Sequence, residues 1–256
     1  MRLPSLIPPF ALVAGGALIL AAGLPLAASE LDARIEAAAK SSYNFKTYLK
    51  NDAIQVQSTE GVVTLTGTVA RDYHKFLAEE TVTGLPGVRR VNNQLTLVGE
   101  QPSERSDAWI SLKVVAALTF HKNVSAGATT VETVNGVVTL SGQVDTQAQK
   151  ELTGEYARDV DGVTSVRNNL TVAKAPRPHE TLGEKVDDVS ITAQIRTALL
   201  FRKSTHVLTT KVTTKDGVVT VRGEALNAAE RELVTKLAED IAGVKRVINQ
   251  MTVKKA

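Results

Sequence analysis

Apolar and polar positions alternate along residues 61–69, GVVTLTGTV. Val63, Leu65 and Val69 fall on one face, and Val62, Thr64, Thr66 and Thr68 on the other. That period of two predicts a strand with one face in a core and the other half polar. The same phrase returns as GVVTLSG at 136–142 and GVVTVRG at 217–223. Asn135-Gly136 and Asp216-Gly217 are dipeptides that accept positive φ, so each predicts a two-residue hairpin; Glu60-Gly61 keeps only the glycine. Helical spacing appears on either side of the hairpins. Ile110, Val114 and Ala117 predict a first helix, and Tyr73, Leu77, Val82 and Leu85 a second, which the third copy matches with Ala229, Leu233, Leu237 and Ile241. A last strand follows in GVRRVNNQLTLV, GVTSVRNNLTV and GVKRVINQMTV.

A shift of 75 residues lays Gly61 on Gly136, and a further 81 lays Gly136 on Gly217. Under these shifts Asp32, Ile35, Phe45, Val56, Gly61, Val62, Val63, Thr64, Gly67, Leu77, Gly87, Val88, Val91, Asn93 and Thr96 recur in all three copies. The chain is therefore read as a leader at 1–29 and domains at 30–99, 106–174 and 186–255, joined by EQPSERS and the proline-bearing KAPRPHETLGEK. The fold class is α+β: three tandem α-β-β-α-β domains, each a three-stranded mixed sheet with two helices on one face.

The repeated residues carry fold-level readings. Asp32, Asp107 and Asp188 suit helix N-caps, where a carboxylate satisfies orphan amides. Asn93, Asn168 and Asn249 suit buried amides that bond backbone at a strand irregularity. Gly67, Gly142 and Gly223 suit a bulge or a close backbone approach.

After Arg2 no charge appears until Glu30, and Ala27 and Ser29 place small residues before it. This predicts an export signal cleaved before Glu30, with an uncleaved anchor as the alternative, since residues 10–29 are about as long as the ~20-residue spanning minimum. The absence of cysteine excludes disulfides, thiolate metal sites, thiol nucleophiles and a lipid-acylated cysteine. Net charge is +3, and residues 176–256 alone hold a basic excess, 14 Lys and Arg against 10 Asp and Glu. That is too diffuse for a nucleic-acid footprint and more suited to an anionic lipid surface.

The pattern GVVTLxGxV, a helix, then GVxxVxNxLxV, with 26 residues from Gly61 to Gly87 and from Gly136 to Gly162, resembles the BON domain. This is the bacterial osmotically inducible and nodulation family, and the resemblance spans residues 31–254. It implies a periplasmic or outer-membrane-associated protein of osmotic and envelope stress tolerance, no catalysis, no cofactor, and in some members phospholipid binding. In lipid-binding relatives the first helix of the second domain meets the bilayer.

No catalytic or metal-ligating constellation stands out. His74, His121, His179 and His206 occupy non-equivalent positions without ligand spacing, and no P-loop or nucleophile motif is present. Trp109 is the one tryptophan, at a slot held by Arg34 and Ser190 in the other copies, which predicts an exposed position. An indole there, with Lys113 one turn on and Arg105 ahead of the helix, is a candidate anionic-phospholipid contact; interdomain packing of Trp109 is the alternative. Arg202, Lys203, Lys211 and Lys215 form a second candidate basic surface. The competing function is a periplasmic scaffold that binds envelope proteins and no lipid.

Overall fold

The structure, a computed structural model, describes residues 24–99, 102–173, 185–205 and 210–254. The first 23 residues of the expected leader lie outside the described residues. The first domain comprises α1 (Leu24–Ser41), α2 (Tyr43–Thr47), β1 (Ala53–Thr59), β2 (Val62–Val69), α3 (Asp72–Thr83), β3 (Arg90–Asn93) and β4 (Thr96–Leu97). The second runs α4 (Asp107–Thr119), β5 (Thr129–Val134), β6 (Val137–Val144), α5 (Gln147–Arg158), β7 (Ser165–Asn168) and β8 (Thr171–Val172). The third runs α6 (Asp188–Leu200), β9 (Lys211–Lys215), β10 (Val218–Arg222), β11 (Glu224–Ala225), α7 (Ala228–Glu239), β12 (Arg246–Asn249) and β13 (Thr252–Val253).

Each sheet has its GVVT strand at the centre. β2 pairs antiparallel with β1, Leu65 opposite Val56, and parallel with β3, Leu65 opposite Asn93. The alternation places Val63, Leu65 and Val69 fully inside, with Val138, Leu140 and Val144 doing the same in the second domain. Both residues of each tight turn have positive φ, 53° and 74° at Asn135 and Gly136, the geometry that joins two antiparallel strands without splaying them. Even Glu60 adopts it, at 52°. Gly142 has φ 132°, and a Cβ there would lie 2.1 Å from the Ala128 carbonyl oxygen, so the expected close approach is real.

The last strand of each sheet is broken in two. Asn168 donates from Nδ2 to the Lys150 carbonyl of α5 at 2.6 Å and accepts the Leu170 N–H on Oδ1 at 3.3 Å. Asn93 and Asn249 repeat both bonds. The amide thus ties strand to helix where the ladder is interrupted, and Leu170 turns into the core.

Two expectations are corrected. The repeated aspartates do not cap their own helices. Ser106 and Asp187 accept the N-cap bonds of α4 and α6, and Asp32 lies inside α1, which begins at Leu24. The carboxylates of Asp32, Asp107 and Asp188 reach across instead to the hairpin turns, whose outward-pointing amides have no strand partner. The apolar stripe of the third copy's second helix fails only at its first position. Leu237 and Ile241 are buried and Leu233 packs against the core, joined by Val234 and Ala238, while Ala229 in the first turn is exposed.

The domains turn their helical sides toward one another. Between the first and third, Tyr43 N–H donates to Asp187 at 2.7 Å, Asn44 bonds Ser190, and Gln194 Nε2 donates to Asn44 Oδ1 at 2.8 Å. Between the first and second, Tyr48 meets Phe120 edge-on at 4.9 Å. Between the second and third the contacts come in matched pairs. The Lys122 N–H donates to the Asp240 carbonyl at 2.8 Å, and the Lys203 N–H donates to the Asp159 carbonyl at 2.8 Å. These are equivalent residues of the two copies exchanging equivalent bonds, a local two-fold relation made by repeated sequence.

Candidate functional site

Helix α4 begins where Ser106 accepts the Trp109 N–H at 3.2 Å, which aims the first turn toward the first domain. Arg105, just outside the helix, has φ 67° and is exposed. Trp109 is less exposed than its slot predicts and lies nearer the interdomain alternative. It is half-buried and lines a narrow crevice with Arg71 and Tyr73 of the first domain, Ala116 of its own helix and Phe201 of the third. The crevice holds about 10 Å³, room for about one water.

Lys113 departs further from expectation. Its side chain is 9% exposed, and Nζ donates to Asp161 Oδ2 at 2.9 Å. Its ammonium is already engaged, because the turn after α5 brings Asp161 against α4 within the second domain. Asp161 is 74% exposed, and the Lys113 hydrogen bond holds its carboxyl below the usual range, with the charges of Lys113, Lys203 and Arg105 acting in the same direction.

The second candidate surface is divided. Arg202 is buried, with its guanidinium 3.5 Å from Asp159 and 4.8 Å over the Tyr156 ring. It was expected on the surface and instead forms part of the seam, because the matched loops of the second and third domains close over it. Lys203 is exposed, yet its Nζ donates to the carbonyls of Val163 at 2.5 Å and Arg158 at 3.3 Å. Lys211 and Lys215 stand exposed at the two ends of β9.

Sequence reasoning missed the polar knot beneath. Arg202 NH2 lies 3.1 Å from His121 Nε2, His121 Nδ1 faces Asp240 Oδ2 at 3.3 Å, and Tyr156 OH donates to the same oxygen at 3.0 Å. Burial pushes the Tyr156 phenol upward, reinforced by the Asp240 charge. One signal was available: Asp159 and Asp240 are equivalent, while the first copy has Gly84 there. Among the described residues, no group of three His, Cys, Asp or Glu is placed to hold a metal ion, and no helix is long and apolar enough to cross a membrane.

The fold defines a tandem array of small α-β-β-α-β modules whose unequal residues gather in the seams between modules. The BON domain model matches residues 31–99, 106–174 and 187–255, and the chain belongs to the BON domain family. It is 32% identical over 204 residues to osmotically-inducible protein Y of Escherichia coli (strain K12), covering 78% of this chain and 98% of that protein. It is 27% identical over 143 residues to the outer membrane lipoprotein DolP of Haemophilus influenzae, covering 56% of this chain and 72% of that one. A solved structure of CdsD, a structural protein of the type III secretion system of Chlamydia trachomatis, aligns over 87% of this chain and 91% of its own at 16% identity. Its TM-score of 0.24 is too low to support an argument.

Proposed function

We propose that this is an exported, non-enzymatic envelope protein that supports osmotic and envelope stress tolerance by binding anionic phospholipid surfaces at the start of α4. Export by a leader cleaved before Glu30 puts it in the periplasm. The names of the relatives, one osmotically inducible and one an outer membrane lipoprotein, support the setting. Exposed Arg105 and half-buried Trp109 at the start of α4, with the Lys113–Asp161 pair one turn on, carry the lipid reading, because they set positive charge and an indole at one end of the helix. A phosphate head group substitutes for Asp161 as the partner of these cations, while the indole edge meets the interfacial region. Arg105 makes the first contact, since Lys113 must first leave Asp161.

Flotation of the full chain with vesicles tests this. Binding to phosphatidylglycerol vesicles and none to phosphatidylcholine vesicles is expected. Arg105→Ala should weaken binding about fivefold, the equivalent of about 1 kcal/mol per basic residue. Trp109→Ala should weaken it as well, and failure of the wild type to float with anionic vesicles overturns the reading. The half-buried packing of Trp109 against the first domain favours a second reading, a scaffold for envelope proteins. Capture of a defined envelope protein by a chain that binds no lipid would select it.

A further inference from the structure

We propose that His121 is an acid-sensitive latch, holding the second and third domains together while its imidazole is neutral and releasing them when it takes up a proton. The inference stands apart from lipid binding and rests on the arrangement of the seam. Arg202 can only donate, so His121 Nε2, 3.1 Å away, must offer its lone pair. The ring hydrogen then sits on Nδ1, 3.3 Å from Asp240 Oδ2 but outside hydrogen-bonding geometry. Both side chains are fully enclosed, 0% exposed. An added proton can go only to Nε2. There it removes the acceptor of Arg202 and sets an imidazolium against a guanidinium in a site closed to water.

The groups around the ring come from each element packed on it. Asp240 approaches from the end of α7 and favours the proton. Arg202 approaches from the end of α6 and opposes it. Tyr156 of α5 lies against the ring at 4.3 Å, tilted by 39°, and Asp159, beyond α5, lies 3.5 Å from the guanidinium. Lys122 and Lys203 direct their ammonium groups to the backbone carbonyls of Glu239 and Val163. Burial is the largest influence and keeps the imidazole below its ordinary range, with the Arg202 charge adding to it and Asp240 opposing.

The same two residues carry the backbone junction: His121 bridges Ile241, and Val160 bridges Arg202. Displacing the Arg202 side chain therefore loosens the joint itself. In separated domains His121 is solvated and titrates near its ordinary value of about 6.5. Protons bind the separated form better, so docking is complete above about pH 6.5 and weakens as pH falls below it. The seam between the first and third domains, built on Tyr43, Asn44, Ser190, Gln194 and the Glu80–Arg196 pair, uses no histidine in these contacts.

The chain has no cysteine, so Glu132→Cys and Lys211→Cys, at exposed strand positions of the two domains, accept a fluorescent donor and acceptor. Energy transfer in the full chain is followed from about pH 7.5 to about pH 5, alongside helical circular dichroism. Loss of transfer below about pH 6.5 with unchanged dichroism is expected, and His121→Gln, which keeps an acceptor for Arg202 and cannot be charged, should abolish it. His74→Gln should leave it in place. Constant transfer in the wild type, an equal drop in His121→Gln, or a drop that tracks loss of helix overturns the proposal. If His121→Gln is misfolded or already apart at neutral pH, the His121 imidazole resonance of the wild type decides: its midpoint must coincide with that of the transfer change, and separate midpoints overturn the latch.

Discussion

Asp107, in the first turn of α4, accepts the N–H of Asn135 on one carboxylate oxygen at 2.7 Å and that of Gly136 on the other at 2.8 Å. One side chain thereby fastens the tip of a hairpin to the start of a helix, and Asp188 does the same for Asp216 and Gly217. A positive-φ turn points these amides away from the ladder, so without the carboxylate they face the helix end unpaired. Asp107→Ala is expected to cost about 1–3 kcal/mol, and Asp107→Asn less because one acceptor remains. Urea unfolding of the second domain, followed through its turn amides, checks both.

The equivalent carboxylate of Asp32 carries a pH signature. Its pKa lies below the ordinary value, chiefly through the Ser58 hydroxyl and then the Gly61 amide. A depressed folded pKa contributes stability that is present above the unfolded value and is lost as pH falls through the folded one. The first domain should therefore lose stability as pH falls below about 3.9, and Asp32→Asn should reduce that acid dependence. Denaturant midpoints at a series of acid pH values measure it.

Gly142→Ala tests the close approach of β5 and β6. The new methyl group would meet the Ala128 carbonyl oxygen at 2.1 Å on a backbone of φ 132°, so the strand has to move. A loss of roughly 1–3 kcal/mol is expected from strain of this kind. Faster exchange of the β5–β6 amides should accompany it.

Asn168→Ala removes the tie between the interrupted strand and α5. The Lys150 carbonyl and the Leu170 N–H both lose a partner, which is expected to cost about 1–3 kcal/mol, with Asn168→Asp recovering only the Leu170 bond. Thermal melts of the three proteins give the ranking.

His74 of the first domain is buried against Asp52, Nδ1 to Oδ2 at 2.6 Å. Burial lowers its pKa and Asp52 works against that. Asp52→Asn should therefore move the His74 titration further down, read from its imidazole resonance. Because the folded imidazole is neutral, the stability of the first domain is full above about pH 6.5 and falls as pH drops toward the folded pKa. His74→Gln should flatten that slope.

The hairpin types and the central strand were legible because each rests on local alternation or on a backbone preference written into a dipeptide, and the three domains and the Asn tie because the chain repeats them. Asn135-Gly136 accepts its turn wherever it occurs, and Val63 and Leu65 alternate with threonine regardless of what covers them. The site was legible only in outline. The odd tryptophan was read as exposed or as packed between domains, and the burial of Trp109, of Lys113, read as a lipid-contacting cation, and of Arg202, read as surface charge, was not legible. Each of those properties depends on a partner brought from another element: Tyr73 for Trp109, Asp161 for Lys113, and His121 with Asp159 for Arg202. Asp107 was misread for the same reason, since its partners lie in a turn beyond the helix. Local periodicity records how a segment wishes to fold, whereas the fate of a charge depends on which rigid surfaces close over it, and that distance and dielectric exist only in the tertiary structure, within the second domain for Lys113 and Asp107 and between domains for Trp109 and Arg202.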